Sequence, residues 1–578
     1  MEFPAVRSLV PTRLAYSLAL AFSISTPFAA QAQVAADAAA RQADVLQRQA
    51  QERINRDIER ALPSERPVQG TDTRTLVPSV DASAAGPSCH QIATIAIEGA
   101  PNLSGSVRDA LVGRFSNQCL GVPEVETILG EITKDYVLRG LITTRAYLPA
   151  QDLSQGKLVI LVLEGKIESV VVNDGNRGSI NPWNVFPRAG NLFNLRDIEQ
   201  GIEQVNKLSS NNATLDIQPG QEAGASRVVI NNTPSTPYHA SLSADNTGSD
   251  STGRNQLGAT VSADRLLGLN ELLLFTYRRS QPNDNARKGS VSKSLTFMLP
   301  LRYATVTYSG SRSHFTSEVL VPNNAPLAFQ GVSDSDSLRA ERLVFRNQST
   351  RQVLSATLTA KDTKNYLAGN FLGVSSRKLS VLDIDSSTST GFLGGALSID
   401  VGWAQGLSAA GALRDVDGLP DDAPHAQFGK FKYGMNWLKP FELAGVRSTW
   451  TTSLTGQHAR DVLYGSEQIL IGGLYSVRGF VNNTLSGDHG WYVRNELAAY
   501  PVLPMANVPV RLYAGLDYGR VRSRAADMPE GSLAGAVVGA SLSWKGASID
   551  ISNTRALHEP AGFRREGSRT WVRLNFGI

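Results

Sequence analysis

The chain has 578 residues, enough for several domains or for one large barrel with appendages. Lys+Arg 56 against Asp+Glu 52 leaves a formal net charge of +4, with no basic run long enough for a nucleic-acid arm, so nothing calls for DNA or RNA and no nucleic acid is expected as a partner. Beyond the N-terminus no apolar run approaches the roughly eighteen residues of a membrane helix, whereas barrel strands need only about nine to eleven residues of alternating polarity and stay open as a reading.

Residues 1–32 read as a signal peptide. Arg7 and Arg13 supply a positive start, Leu14 to Ile24 an apolar stretch, and Ala30-Gln31-Ala32 a small-x-small cleavage site, so the mature chain is expected to begin at Gln33. Export carries both cysteines, Cys89 and Cys119, into an oxidising compartment, where one disulfide is expected. Two free buried thiols are the alternative, ahead of a two-cysteine metal site.

The segment 33–62 is rich in Ala, Gln, Arg and Glu and predicts a helix from Asp37, as N-cap, to Leu62, stopped by Pro63. Its apolar positions Val45, Leu46, Ile54, Ile58 and Leu62 form a thin stripe, and five arginines alternate with Asp44, Glu52, Asp57 and Glu59. Such a helix suits a polar channel better than a core, with a solvated N-terminal segment as the alternative. Lumenal residues Arg511, Arg573, Asp517 and Asp550 are its expected charge partners. Residues 63–88 hold Pro, Ser, Thr, Asp and Ala without periodicity and are expected to form a flexible linker.

Two compact α/β modules follow, at 89–165 and 166–235. The first predicts a strand at Ile92–Glu98, helices at Ser106–Phe115 and Pro123–Arg139, and strands at Thr144–Leu148 and Leu158–Leu163. The second repeats the order with Ile167–Val172, Asn181–Phe186, Leu195–Lys207, Ala213–Gln218 and Arg227–Ile230. Neither carries a nucleophile with a base, a metal-ligand spacing or a phosphate loop, so catalytic residues, cofactor and metal are all expected to be absent and the protein is read as no enzyme.

From 236 to 578 the texture becomes short alternating runs divided by Gly, Asn, Asp, Ser and Pro. Leu295, Phe297 and Leu299 face away from Ser294, Thr296 and Met298; Thr570, Val572, Leu574, Phe576 and Ile578 face away from Trp571, Arg573, Asn575 and Gly577. At roughly twenty residues per strand and turn, the region predicts a transmembrane β-barrel of about sixteen antiparallel strands. Trp491, Tyr492, Tyr500 and Trp571 are candidates for its interfacial aromatic girdles.

The most informative pair of motifs lies in this region. In Gly515-Leu516-Asp517-Tyr518-Gly519 the two-residue period puts Gly515, Asp517 and Gly519 on the polar face with Arg511 and Tyr513. A carboxylate on an inner barrel wall needs a cation, and a guanidinium matches it bidentately. Arg478, in Val477-Arg478-Gly479-Phe480, is the expected partner.

These pieces together resemble the outer-membrane transporters of two-partner secretion, the TpsB type that exports haemolysins, filamentous haemagglutinins and contact-dependent toxins. Cys89 to Gly99, the string Thr143-Thr144-Arg145-Ala146-Tyr147-Leu148-Pro149-Ala150-Gln151-Asp152-Leu153 and Leu163-Glu164-Gly165-Lys166-Ile167 resemble the family's first polypeptide-transport-associated (POTRA) domain. Val477-Arg478-Gly479-Phe480 is similar to the motif on its loop that folds into the lumen, and Gly515-Leu516-Asp517-Tyr518-Gly519 to the strand motif that holds it. The chain departs from the family in ending on Ile578 where a terminal aromatic is common, and in Phe480 where tyrosine is common.

The resemblance implies a plug helix in the resting pore and periplasmic POTRA modules that recognise an unfolded partner, a large secreted β-helical protein, before it passes through the barrel. It also implies a monomer in the lipid bilayer of the bacterial outer membrane, delivered there by the barrel-assembly machinery, with no cofactor. An insertase of the same superfamily is the alternative, though it usually carries more POTRA modules and lacks a plug helix.

Overall fold

The computed structural model describes residues 42–62, 70–77, 89–281, 287–321, 325–503, 508–525 and 528–577. The expected signal peptide, cleavage site and Asp37 cap, and Ile578, lie outside the described residues.

The first module builds a sheet of β2 (Thr94–Glu98), β5 (Lys157–Leu163) and β4 (Arg145–Tyr147), with β2 and β5 parallel and β4 antiparallel to β5. Two helices, α2 (Gly105–Phe115) and α3 (Val122–Leu138), cover one face. Helix α3 starts where Pro123 cannot be its hydrogen-bonded interior and where the Glu124 carboxylate accepts from the Gly121 N–H at 2.8 Å. Its positions Val125, Ile128, Ile132 and Tyr136 recur at helical spacing and pack on Leu158, Ile160 and Val162 of the sheet. Burial, together with the hydrogen bond it donates to Glu164 at 2.7 Å, pushes the Tyr136 hydroxyl well above its usual range. A short pair, β1 (His90–Ile92) and β3 (Gln118–Leu120), is joined by the disulfide Cys89–Cys119.

The second module has the same plan in β6 (Lys166–Asn173), α4 (Leu195–Val205), β7 (Ala213–Pro219) and β8 (Ala225–Asn232), with sheet order β6-β8-β7. One expected helix is missing. Asn181–Phe186 forms a single 3-10 turn at Pro182–Asn184, opened by the Asn181 side chain accepting from the Trp183 N–H at 3.1 Å. Pro187 closes the segment, and the Asn184 amide is spent outward on the carbonyls of Leu269 and Pro300, so a longer helix has neither the backbone nor the freedom to form. The described part of the expected flexible linker, 70–77, is also tied down: Thr73–Leu76 makes one turn, the Gly70 N–H donates to Gln348 O at 2.9 Å, and Arg196 on α4 donates to Thr71 O at 3.0 Å.

From Tyr238 onward sixteen long antiparallel strands close into a barrel, sealed where Arg569–Gly577 pairs with Tyr238–Asp245 from Arg573↔Asp245 to Gly577↔Ser241. Closure removes every sheet edge, which a bilayer requires. Strand lengths differ widely, from 8 residues in Tyr238–Asp245 and 9 in Arg569–Gly577 to 18 in Ala304–Val321 and 22 in Ala325–Arg346. Leu242, Phe275, Leu295, Leu512, Leu516, Leu574 and Phe576 face outward, while polar side chains turn to the lumen. Two of the expected girdle aromatics are inside. Trp571 is buried with its ring N–H donating to Thr554, and Tyr492 packs on the apolar cluster under the inserted loop; in both cases the strand parity that places Arg573 and Arg494 inward decides.

Candidate functional site

The lumen is occupied by two segments of the chain itself. One is the loop 460–488 between strands Val446–Ala459 and His489–Ala499. Its base is fixed by Asp488, which accepts from the N–H groups of Leu463 at 2.9 Å and Arg524 at 2.8 Å, and by the buried Glu467, which meets Lys430 at 2.9 Å and Lys361 at 2.5 Å. A short hairpin, Ile469–Ile471 with Leu485–Gly487, then carries the tip inward. Val477 and Phe480 are fully buried there against Ile471, Leu485, Val521 and Leu533.

The structure brings Arg478 and Asp517 together. The guanidinium is bidentate, with Nε 2.6 Å from Oδ2 and Nη2 2.7 Å from Oδ1, and the backbone N–H of Arg478 also donates to Oδ2 at 3.0 Å. Both side chains are nearly inaccessible, 4% and 0% exposed. The remaining nitrogen, Nη1, lies 2.6 Å from Glu496 Oε2, and Arg511 holds the other oxygen of Glu496. The result is an alternating chain of two cations and two anions, each hydrogen-bonded, which is the arrangement that lets charges survive burial.

Such close approach needs walls without side chains. Gly515 faces the guanidinium, and a Cβ there would lie 2.6 Å from Nη2; Gly519 faces Val477. The tightest contact is at Gly535 on the next strand, where a Cβ would sit 1.6 Å from the Arg478 carbonyl oxygen. Gly479 has φ +110°, a backbone that L side chains rarely adopt, and packs on the backbone of Arg555. Sequence reasoning found Arg478, Asp517, Gly515 and Gly519 but missed Glu496, Gly535 and Glu566, whose carboxylate accepts from Val481 and Asn483 N–H at 2.9 and 2.6 Å. Glu496 was within reach, because it shares strand parity with Tyr492 and Arg494.

The second segment is α1 (42–61), which lies inside the barrel. Its wall contacts are spread along its length: Asp44 with Arg377 at 2.9 Å, Gln47 with Asn365 at 3.1 Å, Arg48 with Ser466 O at 2.7 Å, Arg53 with Thr247 O at 3.3 Å, and Asp57 with Arg278 at 3.2 Å. Ala43 and Leu46 add one small apolar contact to Phe315 and Phe329. The expected charge partners differ from those found. Asp517 is engaged by Arg478, Arg511 by Glu496 and Asp550 by the Tyr513 hydroxyl, leaving the helix to pair with Arg278 and Arg377 instead. Beside the C-terminal half of α1 a cavity of 420 Å³ remains, lined by Arg56, Glu59, Arg60, Arg511, Asp550 and Arg573. Among the described residues no cluster of ligating side chains suited to a metal occurs.

Comparison with known proteins places this geometry. The family described as haemolysin secretion/activation protein ShlB/FhaC/HecB matches residues 224–542, a ShlB-type POTRA domain matches 90–165, and a further POTRA domain matches 166–219. The chain is similar to the outer membrane transporter CdiB of Escherichia coli, 34% identical across 81% of this chain and 79% of that protein. It is similar to the hemolysin transporter protein ShlB of Serratia marcescens, 30% identical across 88% of this chain and 89% of that one. A solved structure of CdiB from Escherichia coli superposes with TM-score 0.82 at 30% identity, covering 93% of this chain and 98% of that chain.

Proposed function

We propose, because this chain belongs to the haemolysin secretion/activation family ShlB/FhaC/HecB, that the lumen just described is a plugged export path for an unfolded partner protein. The protein is an outer-membrane transporter of two-partner secretion, with its POTRA modules in the periplasm. Its relatives of known function are transporters. The observation that carries the finer reading is that α1 crosses the lumen on isolated polar contacts, so it can be exchanged for another extended chain without dismantling a core.

In this reading the partner is a large secreted β-helical protein that arrives unfolded and pairs with exposed strand edges of the POTRA sheets, where β4 and β7 each have one free side. Helix α1 then leaves towards the periplasm, and the partner passes the inserted loop. Folding outside removes it from the equilibrium and supplies direction. The clasp around Arg478 holds the loop as a fixed wall and does no chemistry. The transporter acts as a monomer and reaches the membrane through the barrel-assembly machinery.

The test is to lock the plug. Cysteines replacing Gln47 and Asn365, whose long side chains meet tip to tip at 3.1 Å, should be bridged by a short bis-methanethiosulfonate cross-linker, which should block secretion of the cognate partner until reduction cleaves it. Full secretion from quantitatively cross-linked protein would overturn the reading.

A further inference from the structure

We propose that the second POTRA module is itself membrane-bound, with Trp183 and the arginines around it forming a docking face for phospholipid headgroups of the periplasmic leaflet. The proposal rests on the barrel's outer-membrane location and starts from the 3-10 turn Pro182–Asn184. This turn is clamped onto the barrel. Asn181 N–H donates to Asn270 Oδ1 at 2.9 Å and its amide to Gly268 O at 3.0 Å, the Asn184 amide donates to Pro300 O at 3.0 Å, and Arg302 N–H donates to Asn184 O at 2.7 Å. Asn270 returns two bonds, to Asn181 O and Asn184 Oδ1, both at 2.7 Å. Six residues are thus fixed to one another, two in the 3-10 turn and four in two barrel turns, and those barrel turns are on the side from which the POTRA modules enter the barrel.

What this clamp presents is unusual for a water-facing module. Trp183 is 62% exposed, and beside it the turn that accepts from Asn181 and Asn184 shows Leu266, Leu267 (65%) and Leu269 to the outside. Leu301, next to Arg302, ends the outward row of Leu295, Phe297 and Leu299 on its strand, so the patch continues a surface already facing hydrocarbon. A tryptophan held at the edge of such a belt has the amphipathic ring that settles at the headgroup level.

The charges agree. The Arg188 guanidinium lies 5.7 Å from the Trp183 ring centroid and is exposed, and Arg265 and Arg302 occupy the two turns themselves. Guanidinium groups pair bidentately with phosphate, and clustered at a leaflet surface they favour anionic lipid. A polypeptide occupant fits less well, because the patch is flush with the lipid-facing rows.

The experiment uses the full-length protein in nanodiscs of phosphatidylethanolamine and phosphatidylglycerol. With Cys89 and Cys119 in a disulfide, a single added cysteine takes one spin label. At Trp183→Cys the label should collide severalfold less with a water-soluble nickel chelate than at Gln218→Cys, on an exposed site of β7, and should be reached more readily by oxygen. Equal nickel access at the two sites overturns the proposal. Leu295→Cys, on a lipid-facing strand, is the separate check on the barrel: nickel access there would fault the membrane reading itself. Because the label replaces the ring, a second measurement keeps it. In nanodiscs with lipids brominated near the headgroup, the native protein should lose more tryptophan emission than Trp183→Phe, and equal losses overturn the proposal.

Discussion

The loop 460–488 and helix α1 share one lumen and are fastened in opposite ways. The loop concentrates its attachment: a bidentate ion pair, a second carboxylate, an apolar cluster of eight buried residues and glycines that bring backbone against backbone. The helix distributes its attachment over single polar bonds, most of which have a second partner on the wall. Arg278, for example, keeps Asp245 when Asp57 is gone. Concentrated, desolvated contacts fail together and at high cost, whereas scattered ones release one by one. In the proposed function, that difference separates a permanent part of the wall from a removable stopper.

The strongest way to break this comparison is to remove the stopper. Deleting residues 42–61 should leave the barrel folded and the loop docked while raising single-channel conductance severalfold. Unchanged conductance, read in planar bilayers, would mean the helix does not close the pore. Next in size is Asp517→Ala, which removes the acceptors of Arg478 Nε, Nη2 and backbone N–H at once and leaves the guanidinium only Glu496 in a dry site, at a cost of order 3 kcal/mol to loop docking. Secretion should collapse while heat-modifiable mobility on gels persists. Since the two residues act through each other, Arg478→Ala with Asp517→Ala should be little worse than either alone, and strictly additive defects would contradict the clasp.

A smaller change sharpens the contrast without touching a charge. Gly535→Ala puts a methyl group where the Arg478 carbonyl sits, and the loop must shift at about 1–3 kcal/mol, measurable as faster proteolysis of 460–488 with the strands intact. The smallest effect is expected on the helix. Asp57→Ala should cost about 1 kcal/mol, because Arg278 stays paired, and should raise the fraction of open channels by about fivefold. A loss as large as that of Asp517→Ala would place both segments in one class.

Much of this was legible in the sequence. Period-two alternation gave the barrel and the inward face of Asp517, and the mixed charges of α1 pointed to a polar channel. What stayed hidden depends on which strand lies beside which. Glu496 stands opposite Gly515 and Arg494 opposite Asp517 through a register set across a loop, and periodicity along one strand carries no information about register between strands. The helix partners Arg278 and Arg377 were hidden for the same reason. Asn181–Phe186 misled differently: its propensity was overridden by hydrogen bonds to turns more than eighty residues away.

The unequal strands have a consequence for the outside of the cell. The hairpin of Ala304–Val321 and Ala325–Arg346 overtops the short strands at the barrel's seam by roughly ten residues, on the order of 20 Å once tilt is counted. The mouth is therefore a spout with one high lip. A polypeptide leaving it has a β-surface along one flank and only the connecting loops 246–254 and 559–568 along the other, so its first folding steps begin beside a wall rather than in free solution.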